Sequence, residues 1–413
     1  MEPDIHPHTD RLSLMLAALA SGFVLSMSFR TIIAISADPL ATQFGASPQA
    51  LGALAGVFHL AFASAQPFVG VALDRYSPRR VVLVTFLLAL IGCVISSTAS
   101  YLSTLVFGQI LIGLGCSPAL LAAMLFISQR YPADRFAAVS GVVLSTGGAG
   151  MLLTGTPLAW VIDTFSWRAG FNALFLLAIL SWLAVLCFVD ESPTQRKVTD
   201  QTFRETLGGL WTIVRQPHTL GICCLAATSY AAFLTLRGLW LGPLLTERYS
   251  FSLIEVGHAA FAVSLVAIFG PLYFGRLDPG GRARRKLIVG CSLGFVLLFI
   301  LHAVGLSAPI ALGAFVITGF LVGYVSLQYA DVRTSYPDEM TGRAFSVFTM
   351  AMFAGVAGVQ WLSGIAATFA PRLDLDPMFA ALLTVSALLF LGTLAFSGLP
   401  QPRSCNPEFE ASD

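Results

Sequence analysis

Two arginines stand inside stretches that are otherwise apolar. Arg30 follows Phe23-Val24-Leu25-Ser26-Met27-Ser28-Phe29, and Arg237 follows Tyr230-Ala231-Ala232-Phe233-Leu234-Thr235-Leu236. A full charge at bilayer depth costs on the order of 3 kcal/mol or more, so it is rare unless it faces a cavity, a partner or a substrate. Guanidinium is planar and offers paired N–H donors, a geometry that matches carboxylate or phosphate. The pair therefore points to an anion site. The competing reading is that each arginine snorkels to the interface or pairs with Asp38 or Glu247. Arg30 precedes Asp38 by eight residues, roughly 12 Å along a helix, which makes that reach a long one.

Other side chains fall on the same helical faces. Ser26 and Phe23 lie four and seven residues before Arg30, and Phe233 and Tyr230 hold the same spacing before Arg237. Tyr324, Gln328 and Asp331 repeat at four and three residues. Such a polar stripe serves either a substrate or hydrogen bonding between helices. His59 shares a face with Gln66, seven residues on. Histidine titrates near neutral pH and is a candidate, with Asp331, for carrying a coupling proton; a structural, hydrogen-bonded role stands beside that one. The run Gly147-Gly148-Ala149-Gly150 with Gly155 and Pro157 is explained by close helix packing.

The elements that would position these residues follow from hydropathy. The chain has 413 residues, 56% hydrophobic and 11% charged, with a mean hydropathy of +0.80. That is too little polar surface for a soluble globule. Spans of about 20 apolar residues cross a bilayer. They are expected at 13–37, 50–72, 80–100, 103–127, 136–161 and 169–189, and again at 217–245, 253–275, 286–306, 309–330, 343–369 and 378–399. The expected organisation is a six-helix bundle over 1–189, a cytoplasmic linker over 190–216, and a second bundle with a short tail over 217–413.

Lys and Arg gather on the cytoplasmic side of short loops. With both termini inside, eighteen of them, from Arg11 through Arg75, Arg79, Arg80 and the run Arg282 to Lys286 to Arg403, fall on one side, and only Arg168, Arg248 and Arg372 on the other. The expectation is a multi-pass protein of the cell (inner) membrane with cytoplasmic termini. With 23 Lys+Arg against 22 Asp+Glu there is no basic field for nucleic acid. The cysteines form no disulfide framework or metal spacing.

The halves repeat. At a shift of 205 residues Gly52 meets Gly257, Gly108 meets Gly313 and Tyr131-Pro132 meets Tyr336-Pro337, and Arg30 lands two residues from Arg237. Six spans per half make these parallel repeats, related by an axis along the membrane normal. After the second span comes Gly70-Val71-Ala72-Leu73-Asp74-Arg75-Tyr76-Ser77-Pro78-Arg79-Arg80. This resembles the loop signature of the major facilitator superfamily, with Ser77 where the usual pattern has a second glycine. A degenerate copy follows at Gly270, Gly275, Arg276 and Asp278.

The resemblance implies an all-α membrane protein of twelve helices in two pseudo-symmetric six-helix bundles. It implies that Gly70, Asp74, Arg75, Arg79, Arg80 and, in the copy, Asp278 latch helix ends in the outward-facing state. The paired arginines look like those of the organophosphate and phosphate antiporters and of the organic-anion symporter branch, which implies substrate contacts for Arg30 and Arg237, with Ser26, Tyr230, Phe233, Tyr324 and Gln328 around them. The expectation is a secondary transporter of a small organic anion, acting as a monomer and without cofactor or metal. Efflux of an amphipathic compound, and a receptor that keeps this fold without flux, are the alternatives. No HExxH, P-loop or GxSxG constellation points to an enzyme.

Overall fold

The computed structural model describes residues 6–131, 133–190, 208, 211–336 and 338–399. The first six-helix set comprises α1 (His6–Phe44), α2 (Pro48–Arg75), α3 (Pro78–Ser97), α4 (Leu102–Cys116) continued by α5 (Ala119–Arg130), α6 (Ala133–Leu153) continued by α7 (Thr156–Thr164), and α8 (Trp167–Phe188). The second begins with α9 (Pro217–Thr235), a π-helical turn (Leu236–Trp240) and α10 (Leu241–Tyr249), which form one crossing. It continues with α11 (Leu253–Arg276), α12 (Gly281–Val304), α13 (Ala308–Leu321) leading through a 3-10 turn into α14 (Val325–Ser335), α15 (Asp338–Phe369) and α16 (Pro377–Gly398). The expected linker at 190–216 lies largely outside the described residues.

Short connections are closed by local chemistry. Ser47 and Ser77 cap α2 and α3 ahead of a proline at the first turn, Ser252 and Glu255 form a reciprocal capping box on α11, and Asp376 accepts from the Met378 and Phe379 amides of α16. Among the described residues eleven helices are long and apolar enough to cross a membrane. The twelfth expected crossing, at 136–161, is present as α6 and α7, divided at Thr154 and Gly155. Pro157 supplies no amide, so the chain restarts as a new helix there instead of continuing the old one.

The two halves close on each other at the end of the bundle away from the termini. A Cβ on Gly52 would run into the Gln360 carbonyl, and one on Gly364 would lie 2.6 Å from the Pro48 carbonyl, so α2 and α15 touch backbone to backbone. The π-turn meets α1 in the same way, where a Cβ on Gly238 would sit 3.0 Å from the Arg30 carbonyl oxygen. Across α7 and α11, a Cβ on Gly257 would lie 2.6 Å from Ala159 Cβ. Along each helix these contacts fall from mid-length to the end remote from the termini.

Candidate functional site

Arg30 is buried to 4% exposure in α1. Its Nη2 donates to Ser26 Oγ at 3.3 Å, one helical turn back, and Nη1 points to Met27 Sδ at 3.4 Å. The guanidinium carbon lies 4.8 Å from the centre of Phe62 in α2 and 4.6 Å from that of Phe353 in α15, and the two rings are 4.6 Å apart. The three centres form a near-equilateral triangle, so both rings press on the cation from one side. Each contact of this kind contributes about 0.5–2 kcal/mol. Among the described residues no carboxylate lies within ion-pair distance of Arg30, and its buried Nε has no acceptor. The pairing with Asp38 is absent.

Phe353 is where the second half reaches the first. Its ring lies 6.2 Å from His59, nearly parallel, and 6.0 Å from Tyr230, edge-on. His59 Nδ1 is 3.2 Å from the Ala55 carbonyl. Tyr329 stands within electrostatic range of both Arg30 and Tyr230, packs on Phe345 and Phe348, and keeps 36% of its surface open. Phe62, Phe353 and Tyr329 carry no sequence signal of their own, because an aromatic in an apolar span reads as packing until its neighbour in space is known.

Arg237 is fully buried in the π-turn and engaged differently. Its Nε donates to Ser264 Oγ in α11 at 2.9 Å, and its Nη2 donates to the Met151 and Thr154 carbonyls at 3.0 and 3.3 Å and to Thr154 Oγ1 at 3.3 Å. Met151 lies in the last turn of α6, and Thr154 directly follows its last residue. No carboxylate among the described residues pairs with it, so Glu247 is not its partner.

Of the neighbours expected around the arginines, Ser26 accepts from Arg30, and Tyr230 stands edge-on to Phe353, the ring that Arg30 lies over. Phe233 is buried in the core. Tyr324 and Gln328 belong to a network inside the second half, where Ser292 Oγ donates to Tyr324 Oη at 3.1 Å and Ser229 Oγ to Gln328 Oε1 at 3.1 Å. Asp331 sits near the termini end and pairs with Arg285 Nε at 3.1 Å.

At the loop signature, Arg79 donates to the Leu186 carbonyl at 2.8 Å, Arg80 lies 5.5 Å from the Tyr76 ring, and Arg75 is exposed. A Cβ on Gly70 would meet open space. Asp74 falls in the last turn of α2, and its side chain lies outside the described residues. In the copy, Asp278 pairs with Arg284 Nε at 2.6 Å and accepts from the Gly280 amide at 3.0 Å, while Arg284 Nη1 donates to the Ala330 carbonyl and Thr334 Oγ1 of α14. Partial burial opposes ionisation of Asp278, but the Arg284 hydrogen bond, the Gly280 amide and the Arg284 charge outweigh it and hold the carboxyl below its ordinary value.

A carboxyl whose pKa is depressed on folding stabilises the fold above its unfolded value, about 3.9, and loses that contribution as pH falls through the folded value. The melting-temperature difference between wild type and Asp278→Asn is therefore expected to hold constant from pH 7 to about pH 5, to shrink as the pH falls below about 4, and to vanish only below the lowered folded-state value. A difference independent of pH would show that the ion pair does not contribute to the acid response.

The chain is thus a multi-pass bundle of two six-helix halves, closed at one end by glycine contacts and holding between them a buried cation that no carboxylate among the described residues pairs with. Residues 14–359 match the family model described as Major Facilitator Superfamily, and the chain belongs to that superfamily. It is 24% identical over 322 residues to the vacuolar membrane amino acid uptake transporter fnx2 of Schizosaccharomyces pombe, covering 70% of this chain and 56% of that protein. It is 27% identical over 277 residues to the enterobactin exporter EntS of Shigella boydii, covering 66% of this chain and 62% of that one. The chain thus spans less than two thirds of either relative. A bacterial homologue of the human lysosomal transporter Spinster, in an inward-facing and occupied conformation, superposes with a TM-score of 0.78 at 16% identity over 93% of this chain and 96% of that one. A D-xylose–proton symporter gives 0.76 at 15% over 94% and 98%. At these identities the structural likeness shows the fold.

Proposed function

We propose that the chain is a secondary active transporter that moves a small organic anion, a carboxylate or phosphate ester, across the cytoplasmic membrane by alternating access, with both termini in the cytoplasm. The observation that carries this reading is Arg30: a buried guanidinium between the halves, pressed on one side by Phe62 and Phe353, with no carboxylate beside it and no acceptor for Nε among the described residues. A buried charge without a counter-charge is costly, and an anion arriving on its open side would relieve that cost. Arg237 gives Nη2 to Met151 and Thr154 and Nε to Ser264 in this conformation, so the reading rests on Arg30, Ser26 and Tyr230. The aromatic wall of Phe62, Phe353, Tyr230 and Tyr329 suits a substrate with an apolar body, which also favours efflux of an amphipathic compound as a second reading.

For the coupling proton, His59 lies beside Arg30 against Phe353, whereas the Asp331 carboxylate is engaged by Arg285. His59 is the better placed of the two to respond to substrate. The test is a thermal-shift screen of the purified protein over carboxylates and phosphate esters, followed by flux of the hits into reconstituted vesicles. Ligand that binds only the folded state raises apparent stability. Stabilisation by amphipathic cations and by no anion would overturn the anion reading, and stabilisation without flux would favour a receptor.

A further inference from the structure

We propose that Arg237 is a bolt across the two halves, holding shut the end of the bundle remote from the termini, and that it acts on transport through this contact. The proposal rests on alternating access as the mode of action and not on the identity of the solute. Four elements meet at the bolt. Thr31 of α1 and Thr154 at the end of α6 share a hydroxyl–hydroxyl hydrogen bond, Arg237 of the π-turn donates to Thr154 and Met151, and Ser264 of α11 accepts from Arg237. Thr31, Met151 and Thr154 belong to the first half, Arg237 and Ser264 to the second.

The break at Gly155 explains why a cation fits there. The last carbonyls of a helix have no intrahelical amide to accept, and they carry the negative end of its dipole. Had α6 run unbroken into α7, the Met151 and Thr154 carbonyls would be taken by amides one turn on. The divided crossing thus presents a ready acceptor, and the π-turn, which adds a residue to the ring of the helix, sets Arg237 facing it. Parting the halves at this end must pull Arg237 away from those carbonyls and leave a buried guanidinium with Ser264 alone. That penalty falls on the state open at the far end and not on the closed one. Thr31 follows Arg30 directly in α1, so occupancy of the Arg30 site and the state of the bolt are read by adjacent residues.

The test is hydrogen–deuterium exchange of the full-length protein in detergent, comparing wild type with Arg237→Met, Arg237→Lys and Thr154→Val. Without the bolt, amides at the far ends of α1 and α15 are expected to exchange about fivefold faster or more. Amides at the termini ends of the same helices should slow, because closing there accompanies opening at the far end. Arg237→Lys keeps a cation at the α6 terminus and should restore part of the wild-type pattern, and Thr154→Val, which leaves Arg237 in place, should shift it the same way by less. Unchanged exchange in Arg237→Met, or faster exchange at both ends together, would overturn the proposal, the second because it reports loosened packing only. If no solute moved in vesicles, the transport reading would fall while a reciprocal exchange shift would still establish the bolt.

Discussion

Arg30→Lys is expected to lower affinity for the transported anion by about 30-fold or more, the equivalent of roughly 2 kcal/mol, at the low end of what loss of one charge-assisted contact in a desolvated site costs. Lysine keeps the charge but removes the planar fork, and its compact, strongly hydrated ammonium is a poorer match for the corner formed by Phe62 and Phe353. Arg30→Met should abolish binding, since it keeps the apolar contact with both rings and removes every donor. Were Arg30 only a snorkelling residue, lysine would be silent, because it snorkels as well. Calorimetry on purified variants, using the anion found by the stability screen, separates the outcomes; wild-type affinity in Arg30→Lys would remove Arg30 from the site.

Gly52→Val should reduce flux at least tenfold while leaving the protein folded. The added side chain would meet the Gln360 carbonyl and the Gly364 Cα, which are backbone atoms and cannot rotate away. Overpacking a tight contact costs about 1–3 kcal/mol, and here the cost falls on the conformation closed at the far end. Gly290→Ala in α12 is the control: nothing lies within 4 Å of a Cβ there, and alanine favours helix over glycine by about 1 kcal/mol. Equal flux in the two variants would show that the α2–α15 approach does not limit the cycle.

The architecture was legible because bilayer thickness dictates span length and the repeat dictates symmetry: the Gly52–Gly257 and Arg30–Arg237 correspondences needed only a shift of register. The divided fifth crossing fell on a glycine-rich run that reads equally as packing, and hydropathy does not register a helix that stops and restarts within one apolar stretch. At the site, Ser26 was reachable because it lies one turn from Arg30. Phe62 and Phe353 were not, since they come from helices distant in sequence. Arg237 shows the sharper limit of residue types: its acceptors are backbone carbonyls, which every residue possesses, and they become available only because a helix ends. Asp331 and Gln328 shared a face with Tyr324 as expected, yet each found its partner on another helix of its own half, Arg285 and Ser229.

The length of the first helix bears on biogenesis. Its apolar part, Arg11–Phe44, has 34 residues, about 51 Å at 1.5 Å per residue, against a hydrocarbon core of about 30 Å. A segment with that much spare length can enter the bilayer in a shallow register that keeps Arg30 near the headgroups before α2 and α15 have been synthesised. It can then slide along its own axis once Phe62 and Phe353 arrive to receive the cation. The overhang thus lets the nascent chain defer the desolvation of its charged residue until the neighbours that accommodate it are in place.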